Sequence, residues 1–236
     1  MGSDAHVVAH GDPALLETAR RRIEELEATW SRFLPHSQLS RLNDAAGTGP
    51  GAVSADLALL VARSLRGAEV TAGSFDPTQL DAVRRAGYVR SLELGPLVTL
   101  DADPAIEARP IAERVVVDEV TSTVELAAGT ALDPGGIGKG LAADLVSADV
   151  IAAGAVGVLV NLGGDLRVRG EAPGGGPWKL DVEDPRSGGV AWRIVIDEGG
   201  IATSSRCRRR WHAPDGTERH HLIDPRTARP SRTPAL

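Results

Sequence analysis

Leu132-Asp133-Pro134-Gly135-Gly136-Ile137-Gly138-Lys139-Gly140-Leu141-Ala142-Ala143-Asp144 is the stretch on which the reading of this chain turns. Its second half has helical spacing, with Ile137, Leu141 and Leu145 at every fourth residue and apolar positions continuing through Val146 to Ile151. Its first half resists a helix: Gly135, Gly136, Gly138 and Gly140 crowd together, and each glycine inside a helix costs roughly 1 kcal/mol relative to alanine. Two accounts fit. In one, Asp133 is an N-cap, Pro134 is the first helical residue and the glycines allow close packing. In the other, the bare helix start offers unpaired N–H groups and the positive end of the helix dipole to an anion, and Lys139 adds a full charge. Neither G-x-G-x-x-G nor G-x-x-x-x-G-K-[ST] is present, because Lys139 is followed by Gly140.

The totals bound the rest. The chain has 236 residues, 42% of them apolar, which is ample for a core, and a single domain over 1–236 is expected. With four Trp, two Phe and one Tyr, that core is built from Val, Leu, Ile and Ala, and a stacking surface for single-stranded nucleic acid is excluded. A formal charge of -6 argues against a general nucleic-acid binder. The lone Cys207 rules out an internal disulfide and suits reducing conditions. Residues 1–13 show neither a basic n-region nor an apolar h-region, and no run of ~20 apolar residues occurs, so a cytoplasmic protein without a membrane segment is expected. Of 26 basic residues only Lys139 and Lys179 are lysines, which sets Lys139 apart.

Outward from the glycine-rich stretch, periodicity places the elements. Asp12-Pro13 opens an amphipathic helix with Leu15, Ala19, Ile23, Leu26 and Trp30 on one face, and Pro35 follows its end. Ser37 is positioned to cap a second, short helix. A third runs from Ser54 to about Ala72, before Gly73. Asp76, Pro77 and Gln79 then form a capping-box pattern that predicts a helix starting at Pro77. Short β-rich runs follow at 114–117 and 123–126. Beyond the glycine-rich helix, 156–161 and 166–169 read as strands joined by Leu162-Gly163-Gly164-Asp165, a hairpin turn by its glycines. Further strands are expected at 178–182, 192–196, 200–203 and 220–223, and the arginine-rich run from Arg206 reads as solvated surface or as a phosphate clamp.

Five blocks, SRFLPHSQLSRLN, GSFDPT, LDPGGIGKGLAAD, VNLGGDLRVRG and HHLIDPRT, resemble in sequence and order the signature blocks of the ApbE family, the FAD:protein FMN transferases, over roughly residues 20 to 230. The resemblance implies a Mg²⁺-dependent transfer of the FMN half of FAD to a Thr or Ser hydroxyl of an acceptor protein, with release of AMP. It implies that Ser74, Phe75 and Asp76 hold the flavin or adenine portion, that Asp133 and Lys139 lie on FAD, and that the carbonyl of Gly136 falls on the metal. His221 matches the candidate base for the acceptor hydroxyl, with Asp224 to orient it, and His220 is counted among the FAD-contacting residues. Adjacent His220 and His221 are expected on opposite faces of one strand.

The blocks also depart from the family. Its Ala-Thr-Ser-Gly appears as Ala202-Thr203-Ser204-Ser205, and its Asp-Pro-x-Thr-Gly as Asp224-Pro225-Arg226-Thr227-Ala228. If those positions require positive φ, Ser205 and Ala228 are strained. The family's segment with an Ala-Asp-x-x-x-Thr metal pair has no counterpart before Leu236, so the chain reads as C-terminally short, with an incomplete metal site. The expected fold is α+β: mixed, mainly antiparallel sheets covered by helices, with the flavin in a cleft between sheet ends. Two alternatives to transfer stay open: a non-catalytic FAD carrier, and an FAD pyrophosphatase yielding FMN and AMP.

Overall fold

The computed structural model describes residues 3–89, 111–184, 187–204, 210–212 and 216–231. Backbone contacts divide the chain into two compact units, one comprising 1–2, 26–138 and 204–236, the other 3–25 and 139–203. The boundary falls inside the first helix, α1 (Ala14–Trp30), and near the head of α6 (Gly138–Ala152). Every strand pairing among the described residues is antiparallel, in accord with the α+β expectation.

The unit containing 139–203 is built on a four-stranded sheet in the order β1 (Ala5–His10), β5 (Gly157–Leu162), β6 (Asp165–Gly170), β9 (Gly199–Ile201). The turn between β5 and β6 is Gly163-Gly164, with φ of 63° and 98°, the conformation that a two-residue hairpin demands and L side chains resist. A second hairpin, β7 (Trp178–Glu183) with β8 (Val190–Ile196), is anchored by Trp178, which is buried against Leu159 and Val168 and donates its indole N–H to the Gly170 carbonyl at 2.9 Å. In α6 the buried side chains are those of Ala142, Ala143, Val146, Ser147 and Val150. Leu141 and Leu145, expected at the centre of the apolar face, are half-buried at its margin. The side of the helix carrying small residues is the one turned inward. Asp12 caps α1, accepting the Ala14 N–H at 2.8 Å.

In the other unit, β2 (Gly51–Ala52), β4 (Thr123–Leu126) and β3 (Val115–Asp118) form a three-stranded sheet in that order. Helix α2 (Gln38–Asp44) is capped by Ser37, whose hydroxyl accepts the Ser40 N–H at 3.0 Å. Helix α3 (Ala55–Val70) is capped by Ser54 and buries Leu57, Leu60, Val61 and Ala68. Helix α4 (Leu80–Arg85) starts three residues later than the capping-box pattern predicts, for a reason given below. A short α5 (Ile111–Arg114) precedes β3, and the hairpins β10 (Arg210–His212) with β11 (Glu218–His220) and β12 (Ile223–Asp224) with β13 (Arg229–Pro230) complete the unit. The strand expected over 220–223 is therefore broken at His221 and Leu222, and the two histidines do not face opposite sides of one strand. Ser205, Cys207 and the arginines at 206, 208 and 209 lie outside the described residues.

Candidate functional site

Asp133 opens the glycine-rich stretch as an N-cap, but of a single 3₁₀ turn, Pro134–Gly136, from which α6 follows. Its Oδ1 accepts the Gly135 N–H at 2.9 Å, its own N–H donates to the Pro77 carbonyl at 2.8 Å, and its Oδ2 lies 3.3 Å from Arg32 Nε. The preceding residue is fixed by Asn43, which both accepts the Leu132 N–H at 2.8 Å and donates to the Leu132 carbonyl at 3.0 Å. Beneath this segment Leu39, Leu60, Val61, Pro77 and Leu132 pack with room for about one water.

Phe75 explains one of the glycines. A Cβ at Gly136 would fall 2.7 Å from Phe75 Cε2, closer than any packed carbon tolerates, so residue 136 is glycine because an aromatic ring occupies its side-chain space. Gly140 is different, since a Cβ there would meet nothing within 4 Å. Of the two accounts of the glycines, packing applies at 136 and open space at 140. Ser74 is exposed, and the Phe75 N–H donates to the Thr71 hydroxyl at 3.0 Å.

Asp76 is a hub. Oδ1 accepts the Thr78 N–H at 2.8 Å and the Thr78 hydroxyl at 2.6 Å, while Oδ2 accepts from Gln79 Nε2 at 2.8 Å and Arg114 Nη2 at 3.3 Å. This is why α4 starts late: the carboxylate closes a turn onto Thr78, and Gln79 reaches the side chain of Asp76 where a capping box would use its backbone N–H. Burial by itself would raise the Asp76 pKa, but hydrogen bonds from Thr78 and Gln79, with the charge on Arg114, outweigh it and hold the carboxyl below its usual range.

Tyr88, buried at 7% exposure, centres an aromatic group in the same unit. Its ring stacks on Trp211 at 5.9 Å and meets Phe33 edge-on at 5.5 Å and His221 edge-on at 6.4 Å. His220 is buried, with Nε2 2.9 Å from the Ser231 carbonyl and Nδ1 accepting the Leu222 N–H at 3.2 Å. Both ring nitrogens serve the backbone, so His220 acts as a strut where a flavin contact was expected. The Asp224 carboxylate accepts from Arg226 N–H at 3.0 Å, Nε at 3.2 Å and Nη2 at 3.1 Å, and that arginine lowers its pKa. Its acceptors thus serve Arg226, where orientation of His221 was expected. Ala228, between β12 and β13, has φ of 49°, the left-handed conformation expected where the family carries glycine.

In the other unit, Lys139 lies in the first turn of α6 and is ion-paired with Asp165, each side chain 14% exposed. It was expected as a counter-ion for phosphate, and in the fold it also has a carboxylate partner. Asp165 Oδ1 also accepts the Thr203 N–H at 3.1 Å, and Asn161 Oδ1 accepts the Gly164 N–H at 2.9 Å. Two of the blocks therefore meet in one ion pair, which Thr203 joins through Asp165. Asp165, Asn43 and Arg32 stand in the quoted blocks, and for Asp165 a carboxylate directly after a Gly-Gly turn was the available signal. Tyr88, Trp211 and Arg114 carried no comparable signal.

Among the described residues no group of three or more His, Cys, Asp or Glu side chains gathers where a metal ion could be held. No helix among them is long and apolar enough to cross a membrane.

Comparison with known proteins agrees with the architecture. The crystal structure of the ApbE protein of Thermotoga maritima superposes with a TM-score of 0.80 at 27% identity, covering 96% of this chain and 74% of that one. The flavin transferase ApbE from Vibrio cholerae gives 0.75 at 26% identity, covering 98% and 75%. Among curated relatives, the FAD:protein FMN transferases of Haemophilus influenzae and Treponema pallidum are 29% and 30% identical over 98% and 93% of this chain. The chain spans 70% and 64% of those two proteins' lengths. The model of the ApbE family matches residues 1–236, across both units, and the chain belongs to the ApbE family.

Proposed function

We propose that the chain transfers the FMN moiety of FAD to a Thr or Ser hydroxyl of an acceptor protein and releases AMP, both units acting as one functional domain. The observation that carries this reading is the start of α6. There Lys139 is held in the first helical turn by Asp165, beside open space at Gly140, where unpaired N–H groups and the helix dipole favour an anion. A diphosphate is the anion the reaction requires.

On this reading the acceptor oxygen attacks the phosphorus of the FMN half, the bond to the bridging oxygen breaks, and AMP departs with that oxygen. Lys139 offsets charge on the diphosphate, which is the main requirement of phosphoryl transfer. Asp165 keeps the ammonium in place before FAD arrives. His221 takes the proton of the acceptor hydroxyl, a role suited to imidazole near neutral pH. Asp133 lies on FAD with Phe75 and Ser74. Asp76, its acceptors engaged by protein donors, acts by fixing the loop that carries Phe75. Asp224 fixes the turn that follows His221 through Arg226. The family's Mg²⁺ would supply further charge neutralisation, with the Gly136 carbonyl as its one proposed contact from this chain, and no step here depends on it.

Incubation with FAD and Mg²⁺, with and without an acceptor protein, followed by chromatography of AMP, tests the reading. AMP that depends on the acceptor, together with a fluorescent acceptor band, supports transfer. AMP without acceptor indicates hydrolysis, and a yellow, FAD-saturable protein that forms no AMP indicates a carrier; either result overturns the proposal. Chelation with EDTA in the same assay tests the Mg²⁺ requirement.

A further inference from the structure

We propose that Arg32 is a positioning residue that holds the Asp133 segment and the Tyr88–Trp211–His221 group in one fixed relation. Its side chain is 5% exposed and touches both. On one side Nε lies 3.3 Å from Asp133 Oδ2. On the other, Nη1 donates to the Tyr88 carbonyl at 3.1 Å, and the guanidinium carbon sits 4.1 Å from the Phe33 ring centroid and 4.7 Å from that of Tyr88. A planar guanidinium can donate in its plane and stack through its face at once, whereas an ammonium ion cannot.

Tyr88 passes the constraint on. Its ring stacks on Trp211 at an interplanar angle of 27° and meets His221 at 67°, and Trp211 is itself pinned by its indole N–H to the Ala86 carbonyl at 2.9 Å. Arg32 therefore bears on His221 through one intervening ring, and on Asp133 directly. For the proposed reaction this matters because His221 must come within proton-transfer reach of a hydroxyl attacking FAD, and misplacement by about 1 Å can cost about a hundredfold in rate. The kinetic consequence rests on the flavin-transfer reading; the coupling between Asp133 and the aromatic group does not.

The test is a double-mutant cycle read by the indole ¹H–¹⁵N resonance of Trp211, assigned through Trp211→Phe. Asp133→Asn is expected to shift that resonance when Arg32 is present and to leave it in place in the Arg32→Lys background. No shift in the protein that retains Arg32 overturns the proposal, whether or not Arg32→Lys folds, and so does an equal shift in both backgrounds. In the AMP assay Arg32→Lys is expected to lower kcat by about tenfold or more while the FAD dissociation constant stays within about twofold. Parallel loss of FAD affinity and kcat, with earlier thermal unfolding, would mark a merely structural arginine and overturn the role. A wild-type protein that releases no AMP removes the flavin-transfer reading and leaves the resonance cycle to decide on Arg32.

Discussion

The side-chain amide of Asn43 forms a pair of hydrogen bonds with the backbone of Leu132, 89 residues away, at 2.8 and 3.0 Å. It pairs with that backbone as a neighbouring strand would and delivers Asp133 to Arg32. Asn43→Ala is expected to lower unfolding free energy by about 2 kcal/mol, from two hydrogen bonds at about 1 kcal/mol each. Urea denaturation checks this.

Lys139 and Asp165 depend on each other. Lys139→Met should leave a mostly buried carboxylate without its cation, lowering stability by about 2 kcal/mol and weakening FAD binding by about tenfold or more. The double variant Lys139→Met with Asp165→Asn should regain stability without regaining affinity. Fluorescence titration of FAD beside thermal melts separates the two effects.

His221→Ala is expected to spare FAD binding and slow acceptor-dependent AMP release by about 10²- to 10⁴-fold, the range of a general base. Unchanged release would remove His221 from that role.

Asp76 predicts a pH dependence. Its native pKa is lowered, so between that value and the ordinary aspartate value of about 3.9 the unfolded chain binds more protons than the native one, and stability rises with pH. The contribution is complete above about pH 4 and is lost as pH falls through the native value. Urea midpoints measured from about pH 5 to about pH 2 should fall less steeply in Asp76→Asn than in wild type.

Ala228 stands at φ 49°, where glycine carries no steric penalty. Ala228→Gly should stabilise the protein by about 1 kcal/mol, visible as a higher urea midpoint with an unchanged slope.

Much of the local structure was legible in the residues. Ser37 and Ser54 announced α2 and α3 because an N-cap acts within three residues. The Gly163-Gly164 pair announced the β5–β6 turn because its φ angles require it. At Asp76 local pattern misled: a capping-box sequence lost to a turn in which Thr78, Gln79 and the distant Arg114 share one carboxylate. The strand expected over 220–223 failed likewise, because His220 spends its ring on Leu222 and Ser231 and bends the chain at His221.

By itself the sequence determined the order of the five blocks, the helices and hairpins they sit on, and the family to which they belong, since caps, turns and periodicity act over a few residues. Only the tertiary structure decided that Arg32 meets Asp133, that Lys139 meets Asp165, that Phe75 fills the space at Gly136 and that Tyr88 stands against His221. Each of these joins residues between 26 and 133 positions apart, and a carboxylate's partner at such a separation is chosen by how the chain closes and which charges are buried together, which no local pattern encodes.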